Sequence, residues 1–173
     1  MRRHAQLNPG LLFAKEHNVG GAETDLKAAL SLDPSFTPAT VNLADRYRQT
    51  GREQDGEAVL RHGLQRSPHN ASLLHALGLL MVRQKHRARA LKRLAEVAHI
   101  DPANARYSYV YAVALNDAGQ TRAAIAMPQH SVKLHPYDPD TLGALATFLE
   151  QAGERAAAQT YRQRLDQLAP KNP

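Results

Sequence analysis

The stretch Leu77-Gly78-Leu79-Leu80-Met81, followed by Ala90, Leu94 and Pro102, returns 34 residues later as Tyr111-Ala112-Val113-Ala114-Leu115, followed by Gly119, Ala124 and Pro136. Outward from this pair, one register holds along all 173 residues. Pro34, Pro68, Pro102, Pro136 and Pro170 fall in a single column. Gly10, Ala44, Gly78, Ala112 and Ala146 stand twenty-four residues before them, and Ala22, Gly56, Ala90, Ala124 and Ala158 twelve before. Phe13, Tyr47, Met81, Leu115 and Leu149 make a column of large apolar residues. His17, Gly51, Lys85, Gly119 and Gly153 make another, glycine at three of its five positions. Self-similarity at a fixed period of this size marks an array of stacked supersecondary units.

Each unit reads as two helices. Columns of Gly and Ala let two helix backbones approach closely, and the large residue three positions later lies on the same helix face. Gly51, Gly119 and Gly153 fall where the first helix ends, because Gly accepts the left-handed conformation there. The proline ends the second helix by pushing the residue before it out of the α region. The predicted pairs are 9–17 with 21–32, 37–50 with 53–66, 71–84 with 87–100, 105–118 with 121–134, and 139–152 with 155–168. Asn8 as N-cap and Pro9 at the first helical position start the shortened first helix. Pro128 breaks the pattern. It stands eight residues before Pro136, where other units have Leu26, Leu60, Leu94 and Arg162. A proline there is expected to bend the helix or break it near 124–127.

This pattern resembles the tetratricopeptide repeat. It is carried by Leu43-Ala44-x-x-Tyr47…Gly51…Gly56…Pro68, by the two stretches quoted above, and by Leu145-Ala146-x-x-Leu149…Gly153…Ala158…Pro170. The resemblance implies an all-α, right-handed α-solenoid of about five repeats, taken as one array over 1–173. Its repeats run 3–36 (partial), 37–70, 71–104, 105–138 and 139–172. The run from Asn104 through Tyr107, Tyr109 and Tyr111 to Leu115 also resembles repeat regions at the C-terminal end of some bacterial multihaem cytochrome c-like proteins.

Composition narrows the chemistry. With no Cys there is no disulfide scaffold, thiol nucleophile, Cys zinc site or covalent c-type haem attachment. Aromatics are 5% with no Trp, so base stacking cannot be a large part of the function. A balance of 22 Lys+Arg against 16 Asp+Glu permits an acidic partner without requiring one. No apolar run approaches a membrane span or a secretory leader, so the chain reads as cytoplasmic, or periplasmic if it is a fragment of an exported protein. No two of the nine His are three or four residues apart, so no metal site is expected. Gly20-Gly21 reads as a turn, and Asp138 and Asp140 as residues serving a helix start. With no catalytic constellation and no cofactor motif, an enzyme is not expected.

Two surfaces remain. In the tetratricopeptide family the first helix of each pair lines a concave face that receives peptides. Carried onto this sequence, the resemblance implies a groove of Asp45, Arg48, His75, Leu79, Arg83, Arg106, Tyr109, Val113 and Asn116. Val82 joins Leu79, Tyr109 and Val113 in its apolar floor. Such a groove suits an extended or helical segment of a protein partner, and protonation of His75 near about pH 6 is expected to tune it. The carboxylate-clamp residues of some family members have no counterpart here. The second surface is a basic cluster over 83–93, with Lys85, Arg87, Arg89, Lys92 and Arg93. It is the alternative reading, a solenoid for nucleic acid or another acidic partner. The mostly apolar groove columns favour the first, and nucleic acid is not expected. Leu11, Leu12 and Phe13 leave an apolar N-terminal edge that a second copy or a preceding domain would cover. The last helix turns Gln159, Arg162, Gln163, Asp166 and Gln167 outward.

Overall fold

The computed structural model describes residues 21–168. Among them lie nine α-helices and no strand: α1 Gly21–Leu32, α2 Thr37–Gln49, α3 Glu53–Arg66, α4 Ala71–Arg83, α5 Arg87–Ile100, α6 Ala105–Asp117, α7 Thr121–Leu134, α8 Pro139–Gln151 and α9 Arg155–Leu168. Each matches its predicted span to within one residue. The helix expected at 9–17, with Asn8, Pro9 and the edge of Leu11, Leu12 and Phe13, lies outside the described residues. The chain divides into two compact units, Met1–Leu77 and Gly78–Pro173.

The columns become backbone geometry. Gly51, Gly119 and Gly153 have φ of 73°, 78° and 84°. The amide after each bonds back to the large apolar column: Arg52 to the Tyr47 carbonyl at 2.8 Å, Gln120 to Leu115 at 2.9 Å, and Glu154 to Leu149 at 2.8 Å. This is the Schellman closure, which satisfies carbonyls the helix end would leave orphaned. Second helices close differently. Ser67, Asp101 and His135, each before a proline, leave the α region with ψ of 74°, 77° and 70°. Two residues after each proline a side chain caps the next helix. Asn70 accepts from the Leu73 amide at 3.1 Å, Asn104 from Tyr107 at 3.4 Å, and Asp138 from Thr141 at 2.8 Å. Phe36, in the same place, has no such bond.

In the first unit α2 packs on α1 and α3 around Leu26, Ala39, Leu43 and Tyr47. A Cβ added at Gly56 would meet the Ala44 carbonyl at 3.1 Å, so the small columns do set backbone approach. In the second unit α6 packs on α5, α7 and α8, and α8 on α7 and α9, around Leu115, Ile125, Leu142, Leu145, Phe148 and Leu149. Burying each such side chain contributes about 1.5–3 kcal/mol. Gln159, Arg162, Gln163, Asp166 and Gln167 are all exposed on α9.

Of the bend or break expected at Pro128, the break does not occur. α7 runs as one helix from Thr121 to Leu134 with Pro128 inside it. The ring costs the bond its missing amide would have made to Ala124. It is, however, fully buried in the position that Leu26, Leu60 and Leu94 occupy elsewhere, beside buried Ala124, Ile125 and Val132. That burial offsets part of the lost bond.

Candidate functional site

The predicted groove residues fall in both units: Asp45, Arg48 and His75 in the first, the rest in the second. In the first unit Asp45 and Arg48 face each other on α2. The Arg48 Nε donates to Asp45 Oδ1 at 2.6 Å, and Gln49 Nε2 donates to the other carboxylate oxygen at 2.8 Å. Three-residue spacing brings these two charges together, and each neutralises the other's field. His75 is half-buried on α4.

In the second unit α6 and α8, the first helices of successive repeats, pack side by side. Tyr109 and Val113 stand one turn apart on α6. With Gly143, Thr147 and Phe148 of α8 they line a depression of about 320 Å³. Gly143 leaves it open: a Cβ there would meet only Leu165, at 3.9 Å. The Arg106 guanidinium lies 5.6 Å from the Tyr109 ring centroid and 3.5 Å from the Asp140 carboxylate, so its charge is already engaged. Both members of that pair are more than half exposed, so the pair itself contributes little. Asn116 holds its Oδ1 shielded from solvent and without a hydrogen-bond donor, which keeps that atom from a partner's reach. Leu79 is half-buried and Arg83 exposed on α4.

Val82 opens instead on a second cleft, of about 390 Å³, with Leu91, Ala114, Lys85, Arg87 and Asp117. Of the basic cluster, Arg93 donates to Glu96 at 2.9 Å. Sequence reasoning placed Lys85 and Arg87 in the basic cluster and Val82 in the groove floor but did not bring them together in one cleft. Lys85 has φ 61°, the one non-glycine with positive φ among the described residues, and His86 closes the same 2.9 Å bond to Met81. No three metal-ligating side chains cluster among the described residues, and no described helix is long and apolar enough to cross a membrane.

With this geometry the comparisons are unambiguous. The tetratricopeptide repeat family model matches residues 20–169. The chain belongs to the tetratricopeptide repeat family. It is 30% identical over 154 residues to "Cellulose synthase 2 operon protein C" of Komagataeibacter xylinus, a match covering 87% of this chain and 12% of that much longer protein. A crystal structure of MamA superposes with a TM-score of 0.79 at 18% identity, covering 94% of this chain and 95% of that one. PilF of Pseudomonas aeruginosa gives 0.81 at 23%, covering 94% and 74%. Identities this low speak for the fold alone. These matches lend no support to the cytochrome likeness of 104–115.

Proposed function

We propose that the chain is an interaction scaffold that receives an extended or helical segment of a partner protein on its first-helix face, with Tyr109 and Val113 as anchors. Family membership supports the scaffold class. The observation that carries the specific reading is the open depression between α6 and α8, with apolar and polar lining in about equal share. It is floored by Tyr109 and Val113, left unfilled at Gly143, and rimmed by the exposed Arg106–Asp140 pair. Tyrosine there offers rigid amphipathic area, and Arg106 offers a fork for a carboxylate. Leu79 and Arg83 carry the same proposal within the second unit, and Asp45, Arg48 and His75 carry it within the first. The name of the curated relative makes products of a cellulose synthase operon a first place to seek the partner.

The test is affinity capture from the native host followed by titration of the captured protein. Tyr109→Ala is expected to weaken binding by about 1–3 kcal/mol with helical content unchanged. Unchanged affinity, or a loss that follows only the basic residues of α5, overturns the groove reading.

A further inference from the structure

Among the described residues, Lys85, Arg87, Arg89 and Lys92 have no ion-pair partner, in contrast to Lys27, Arg48, Arg52, Arg61, Arg93, Arg106 and Arg162, which do. Two of the four sit in the first turn of α5, which carries no acidic residue, at the end of the helix dipole that disfavours cations. Lys85 holds a left-handed backbone that its counterparts Gly51, Gly119 and Gly153 adopt without strain. Uncompensated charge and a strained backbone thus coincide at one place. Beside them opens the cleft of about 390 Å³, walled by Val82, Leu91 and Ala114, with Lys85, Arg87 and Asp117 on its rim. Val82 is 39% exposed although it is a large apolar residue.

We infer that this cleft is a second docking site, separate from the Tyr109 face, for an acidic segment of a partner protein that inserts one large apolar side chain. The apolar walls call for the anchor, and the unpaired cations call for carboxylates flanking it. Nucleic acid fits less well. The walls are aliphatic, so bases have nothing to stack on. The chain's own flanks are excluded by charge: residues 1–20 and 169–173 carry Arg2, Arg3, Lys15 and Lys171 against Glu16 alone.

The test selects binders to the intact chain from a displayed library of random linear peptides and titrates them by fluorescence anisotropy. The variant is Arg87→Glu with Arg89→Glu. Both positions are exposed, and acids suit a first turn, so thermal stability should hold or rise and a binding loss cannot be misfolding. Acidic peptides with an apolar residue are expected. The double variant should weaken them about tenfold or more, as should replacing their apolar residue with Ala, while Tyr109→Ala leaves them unchanged. The inference is overturned if no acidic peptide is selected, or if those selected bind the variant equally well. It also fails if an anchorless acidic peptide or a DNA duplex binds as tightly.

Discussion

A lysine stands where three other turns have glycine. Left-handed backbone costs an L-residue about 1–2 kcal/mol, and Lys85 pays it at φ 61°. Lys85→Gly is therefore expected to raise unfolding free energy by about 1 kcal/mol, and Gly119→Ala to lower it by a similar amount. Urea denaturation with unchanged m-value checks both. Pro128 is the other costly residue. Pro128→Leu restores the amide that bonds to Ala124 and places in the buried slot the side chain found at Leu26, Leu60 and Leu94. Stability should rise by about 1–3 kcal/mol; a lower melting temperature would mean that the core has adjusted to the smaller ring. Both residues were visible as departures from their columns. The outcome at Pro128 was not, because a column shows which residue is unusual but not whether neighbouring side chains close around it.

Helix ends are local events, which is why all nine spans were readable to within a residue. Some starts are written in a capping side chain, as at Asn104 and Asp138, and the stops in a glycine or proline except after α4, where Lys85 stands in the glycine's place. Asp138→Ala removes the 2.8 Å bond from the Thr141 amide and should cost about 0.5–2 kcal/mol, read as a fall in melting temperature. Between helices, Glu23 of α1 reaches Arg52, the residue before α3, at 3.1 Å, and Lys27 at 2.7 Å. The hydrogen bond from Lys27, with a second from Arg52, holds the Glu23 carboxyl below the usual range against the opposing effect of burial. A carboxyl lowered by folding adds stability that is full above its unfolded value and fades as pH falls through the folded one. Glu23→Gln should therefore lower stability at neutral pH and flatten the acid limb of the stability-against-pH curve. An acid limb identical to that of the parent chain would show that the bridge contributes nothing.

At the scale of the whole molecule, the candidate surfaces were only half legible. Period, helix limits, small and large columns and family follow from the sequence itself. They arise from backbone preferences repeated every 34 residues, so each repeat corroborates the next. Tyr109 and Val113 were placed on one helix face the same way, since column position assigns a face, and they line one depression. What only the tertiary structure decided is how side chains pair and where space is left. Arg106 is turned to Asp140 and stacked by Tyr109, Arg48 is held by Asp45, and Arg93 is neutralised by Glu96, whereas Lys85 and Arg87, at the mouth of a cleft, have no ion-pair partner among the described residues. The physical reason is range. Caps and turns act over a few bonds of one chain. A pair such as Arg106–Asp140 depends on the separation of two packed helices, and a void depends on the volumes of all the side chains around it, neither of which a repeat register contains.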